Sequence, residues 1–143
     1  MPPGSPAVSH RRLRLPAVRE SLPRLREFVL SCAQGLSPAV TMKIDLVVEE
    51  LLLNIFDYAY GAAAPGAVEV ACETIPGQGF GLEIRDWGRP FNPLARPGPD
   101  VALDLAQREV GGLGILLVRE MSQSQQYRRE GDCNVMKVFF RDP

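Results

Sequence analysis

The chain lacks a surplus of charge of either sign: 16 Lys and Arg stand against 17 Asp and Glu, for a formal net charge of −1. A protein that grips a phosphate backbone needs a basic excess, so direct nucleic-acid binding is not expected. No apolar run approaches the roughly 20 residues of a membrane span, so no membrane association is expected either. Cysteine is scarce, and Cys32, Cys72 and Cys133 are odd in number with no CxxC spacing. That argues against a zinc site or a disulfide framework and for reduced thiols in the cytoplasm. Internal repeats and long linkers are absent too. Residues 1–12 hold Pro, Gly and Ser followed by His10, Arg11 and Arg12, without the apolar stretch of a signal peptide. They read as a disordered tail before a single domain over residues 13–143, a length that buries one core without staples.

What is present is strong periodicity. Leu13 and Leu15 flank Arg14 as a short edge strand. Ser21 and Pro23 open a helix that Gly35 stops. Ser37 and Pro38 open a second helix, closed by Gly61, in which Ile44, Val47, Val48, Leu51, Leu52, Ile55, Phe56 and Ala59 recur at helical spacing. Val68, Val70 and Cys72 alternate, as do Phe80, Leu82 and Ile84, and Pro76, Gly77 and Gly79 turn the two runs into a hairpin. Residues 87–112 are rich in Pro and Gly and too long for a structural connection, which marks a functional loop. A third helix from Gly114 to Met121 and two strands joined across Gly131 follow. The order β-α-α-β-β-loop-α-β-β predicts an α/β two-layer sandwich, its sheet mixed but mostly antiparallel, with the helices packed on one face.

Three constellations carry chemistry. Glu50 and Asn54 are four apart on the long helix, at the edge of its apolar arc. A sheltered carboxylate beside an amide can hold a hard cation and orient a hydroxyl, or can be a plain amphipathic boundary; Glu49, on the opposite border, reads as solvated. Asp86 continues the core-facing parity of Phe80, Leu82 and Ile84, which puts a carboxylate at a strand end where the amino group of a purine would satisfy it. Gly88 permits close approach to a flat ring and Phe91 can seal the pocket, although a turn-forming Asp-x-Gly after a strand is common. Gly111, Gly112, Leu113 and Gly114 open an apolar helix with free N–H groups that suit an anion, or form a hinge.

In this order and spacing the three resemble the N, G1 and G2 boxes of the histidine-kinase-like ATPases, the Bergerat fold. The segments LRLPA, EELLLNIFDYAYG, DWGRPFNP, GGLGILLVREM and YRREGDCNVMKV are similar to the stand-alone anti-sigma-factor serine/threonine kinases. The resemblance implies ATP and Mg2+ as ligands. Glu50 would be the general base, Asn54 the magnesium ligand, Asp86 the acceptor for the adenine amino group with Gly88 beside the ring, and Gly112 and Gly114 part of a lid around the phosphates. The implied partners are a small anti-anti-sigma (STAS-type) protein as phosphoacceptor, a sigma factor, and a second copy of the chain. These residues hold no phosphoacceptor-histidine region, so a sensor histidine kinase is not the expectation. The chain departs from the family pattern at Tyr58, where His is frequent, and at Gln123, where Asp is frequent. A non-catalytic, ATP-gated protein-binding switch is the competing expectation, and Glu50 separates the two, since a switch needs no base.

Overall fold

In a computed structural model of the chain, residues 9–61, 64–95 and 112–142 are described. The longest helix, α2 (Pro38–Tyr58), starts where its sequence says it should. The Ser37 hydroxyl accepts from the Val40 N–H at 3.4 Å, and Pro38 occupies the first turn, where an amide hydrogen would go unused. The Ser37 N–H donates to the Asp142 carboxylate at 2.9 Å, tying the helix start to the end of the last strand. Ile44, Val47, Val48, Leu51 and Leu52 form the buried stripe of α2. Helix α1 (Leu22–Cys32) lies beside it and contributes Leu25, Phe28 and Val29 to the same core. Ser21 precedes α1 but makes no side-chain capping bond, because a 3-10 turn over Arg19–Ser21 already leads into the helix.

The sheet runs β1 (Ser9–Pro16), β2 (Ala67–Ile75), β3 (Gly79–Asp86), β5 (Cys133–Arg141), β4 (Ser124–Glu130) from edge to edge. All four ladders are antiparallel, so the expected mixed sheet is corrected to a wholly antiparallel one. The reason is topological. Helix α3 (Gly112–Met121) carries the chain from β3 to β4, which run in the same direction, but β5 folds back from β4 and inserts between them. One face of the sheet meets the helices. Across it the register aligns Val70, Ile84 and Met136, then Cys72, Leu82 and Val138, and closes with Phe80 beside Phe140.

The boundary drawn after Arg12 also moves. Strand β1 begins at Ser9, so residues 9–12 belong to the sheet rather than to a tail. Its arginines suit an edge strand with two usable faces. Arg11 lies over the Phe28 ring at 5.3 Å and donates to the Ser31 hydroxyl at 3.2 Å. On the opposite face Arg12 pairs with Glu69 at 3.3 Å, and Arg14 stacks on Trp87 at 4.2 Å. The polar composition that looks unstructured in sequence is satisfied by neighbours far along the chain.

Candidate functional site

Asp86 is the last residue of β3, and parity carries it to the helix-facing side, where it is 5% exposed. Its Oδ1 accepts from the Gly88 N–H at 2.9 Å and from Asn134 Nδ2 at 3.0 Å. Among the described residues nothing donates to its Oδ2. Burial holds the carboxyl above its ordinary pKa, against the opposing pull of the Asn134 and Gly88 donors and the Arg129 charge. A buried carboxylate with one unserved oxygen is expensive unless a ligand serves it.

That carboxylate lines a small cavity of about 30 Å³ together with Asn54, Leu51, Ile84, Phe91 and Met136. That space is far smaller than a purine needs. A larger concavity of about 270 Å³ lies on the outer face of the sheet, over Ala71, Gly81 and Phe139. It shares no residue with the Asp86 cavity and gathers none of the expected site residues.

Asn54 lies deeper than its place at the edge of the apolar arc suggests: it is 8% exposed. Its side-chain amide makes no hydrogen bond among the described residues, although it shares the cavity with Asp86. Glu50, one turn earlier, is half-buried, and its carboxylate likewise has no hydrogen-bond partner among the described residues. Burial first, and the neighbouring Glu49 second, raise the Glu50 pKa. The long helix therefore presents two polar groups that the protein leaves available.

Gly88 is already required by the end of α2, because a Cβ there would overlap the Ala59 carbonyl oxygen. The contact is a zip: the Arg89 N–H donates to the Ala59 carbonyl at 3.0 Å, and Arg89 Nε donates to the Tyr58 carbonyl at 3.1 Å. Phe91 stacks with Tyr58, the centroids 6.2 Å apart and the planes 28° from parallel, and lines the cavity. Tyr58 backs the Phe91 ring without itself lining the cavity.

Gly112, Leu113 and Gly114 are the first three residues of α3, which begins two residues earlier than its expected start. The first-turn N–H groups of any helix lack partners within it. Gly111 and most of the expected lid over residues 87–112 lie outside the described residues. On the described side, Arg119 of α3 donates to the Leu94 carbonyl at 2.9 Å, fastening the helix to the segment beside the cavity.

Sequence reasoning missed two residues that build this corner. Asn134, the second residue of β5, lies directly opposite Asp86, and its parity with Met136, Val138 and Phe140 was the signal that could have found it. Tyr60 accepts from the Trp87 N–H at 2.8 Å and donates to the Ala67 carbonyl at 2.5 Å, holding the strand ends on either side of Asp86.

Residues 15–140 match the histidine kinase-like ATPase domain family. Among solved structures, the histidine kinase domain of the blue-light activated histidine kinase from Erythrobacter litoralis EL346 superposes with a TM-score of 0.54 at 20% sequence identity. The match covers 88% of this chain and 61% of that one, so the present chain spans about three-fifths of its length. At that identity the likeness is one of fold. No curated protein sequence matches significantly.

Proposed function

The chain belongs to the histidine kinase-like ATPase domain family, and from that premise we propose that it is an ATP- and magnesium-dependent serine/threonine kinase of the anti-sigma type. Family membership supports ATP binding and kinase-like chemistry. The observation that supports the site assignment is the pairing in one cavity of two buried groups that no described residue serves, Asp86 Oδ2 and the Asn54 amide. An acceptor-only carboxylate oxygen suits the exocyclic amino group of adenine. A buried amide oxygen suits a hard cation, and magnesium is usually held by one or two protein oxygens together with substrate phosphates. Bound magnesium would neutralise charge on the phosphates.

The rest belongs to the chain's own residues. Asp86 and Phe91 position the base, and the start of α3 offers N–H groups to the phosphates. Glu50, with its pKa raised by burial, takes the proton of the incoming serine hydroxyl as the new P–O bond forms and ADP leaves. The acceptor in this reading is a small STAS-type anti-anti-sigma protein, and a sigma factor is the protein held when that partner is absent. A second copy of the chain completes the assembly. The test is a pull-down with and without ATP, followed by γ-phosphate transfer and phosphosite mapping on the recovered protein. The reading predicts an ATP-dependent phosphoserine on the partner. Partner recovery with ATP bound and no transferred phosphate would replace the kinase by a nucleotide-gated binding switch.

A further inference from the structure

Away from the cavity, α1 ends on a thiol that lies against a second one. Cys32 is the last residue of α1 and is half-buried, while Cys72, in the middle of β2, points to the helix side and is 2% exposed. Two hydrogen bonds hold residues 31 and 32 over that point of the sheet. The Thr74 hydroxyl donates to the Cys32 carbonyl at 3.0 Å, and Thr74 is two positions along β2 from Cys72, on the same face. Arg11, the register partner of Cys72 on β1, donates to the Ser31 hydroxyl at 3.2 Å. The end of α1 is thereby pinned on either side of Cys72, and the two thiols interact directly. The third thiol is elsewhere. Cys133 is on β5, two strands from β2, and it is Val138 of that strand that stands in line with Leu82 and Cys72.

We propose that Cys32 and Cys72 are a reversible redox pair, in which a hydroperoxide oxidises Cys32 and Cys72 then closes an intramolecular disulfide. Exposure sets the order. Only Cys32 is open enough to meet a reagent from solvent, and the Arg11 guanidinium, fixed over the Phe28 ring, lies beside the pair and favours a thiolate there. In the first step the Cys32 sulfur attacks the O–O bond. The bond breaks, the sulfur is oxidised to the sulfenic acid by two electrons, and the peroxide is reduced to water or an alcohol. In the second step the Cys72 sulfur attacks the Cys32 sulfur. The S–S bond forms, the S–O bond breaks, and the departing hydroxide leaves as water with the Cys72 proton. A dithiol reductant reverses the closure by exchange. The sealed Cys72 thiol meets no oxidant of its own, so its reaction is confined to its neighbour. The bond ties α1 to the sheet, and the loop it closes contains the whole of α2.

The experiment treats the reduced, folded full chain with hydrogen peroxide, blocks the remaining thiols and reads the products by mass spectrometry. Wild type should lose the mass of two hydrogens, yield one linked peptide joining Cys32 to Cys72, leave Cys133 open to the blocking reagent, and return to its starting mass with dithiothreitol. Cys72→Ala should stop at the sulfenic acid on Cys32, where dimedone captures it. Cys32→Ser should leave Cys72 unoxidised at the same dose of peroxide. The wild-type result stands by itself if either variant fails to fold. Oxygen added to wild-type Cys32 with no link to Cys72 overturns the proposal, and so does a link that forms only in denaturant. Because the closed loop restricts the unfolded chain, the oxidised protein should melt about 5–15 °C above the reduced one. A disulfide that forms without raising the melting temperature would mean that the thiols are forced together, and that also overturns the proposal.

Discussion

The two sides of the cavity are built on opposite plans. On the sheet side, Asp86 Oδ1, Asn134 and the backbone of residues 88–91 are wired to one another and to the end of α2 by direct bonds of 2.8–3.2 Å. On the helix side, Glu50 and Asn54 make no hydrogen bond among the described residues. The difference teaches a division of labour. Under the proposed function the sheet side would read the base, and the helix side would hold its polar groups for partners that the nucleotide and the acceptor bring: phosphates, metal and hydroxyl.

The largest expected effect would come from removing the proton acceptor on the helix side. Glu50→Gln should lower phosphate transfer by about 10²–10⁴, with the lower end expected for a loose phosphoryl-transfer transition state. Nucleotide affinity should hardly change, and transfer kinetics alongside calorimetry measure both. Transfer at the wild-type rate would remove Glu50 from the chemistry.

On the sheet side, Gly88→Ala drives a methyl group into the Ala59 carbonyl. Overpacking of this kind costs about 1–3 kcal/mol. Because Gly88 also donates to Asp86, ATP affinity should fall with stability, as denaturant unfolding and titration would register.

Asp86→Asn should separate those two quantities. Replacing the free acceptor oxygen by a donor should weaken ATP binding by about tenfold or more. Stability should move the other way. Burial raises the folded-state pKa of Asp86 above its unfolded value, so the native protein loses stability as pH rises through that raised pKa. Below the unfolded carboxylate pKa both states are protonated and the penalty vanishes. Asp86→Asn should therefore melt above wild type at neutral pH, with the gap closing as pH falls below the ordinary carboxylate range. A variant that melts lower at every pH would mean that the ionised carboxylate contributes to the fold.

The smallest effect is the control. Arg26 pairs with Asp45 through two bonds of 2.9 and 2.7 Å between α1 and α2, away from the cavity and partly open to solvent. Arg26→Ala should cost about 0.2–1 kcal/mol and leave ATP affinity unchanged.

Much of this arrangement is visible in the sequence wherever the determinant is local. The apolar stripe of α2 and the cap at Ser37 are repeating or short-range signals, and the parity that buries Asp86 follows from alternation along one strand. What escapes depends on residues distant in the chain. Arg11 and Arg12 look like a tail until Phe28 and Glu69 are brought beside them. Antiparallel pairing throughout depends on β5 inserting between β3 and β4, which no single segment reveals. Gly88 is fixed by Ala59, and Asn134 acquires its role only through its register with Asp86. Gly111 and most of the expected lid fall outside the described residues.

The division of labour is tested most directly by the magnesium dependence of ATP affinity, taken as the ratio of Kd in EDTA to Kd in excess magnesium. If the sheet side reads the base and the helix side holds the metal, Asp86→Asn weakens ATP under both conditions and leaves the wild-type ratio in place. Asn54→Ala leaves the EDTA affinity nearly unchanged and collapses the ratio to about one, because Asn54 would hold the metal through its amide oxygen. An Asn54→Ala protein that keeps the full wild-type ratio, or an Asp86→Asn protein that loses it, would contradict the account.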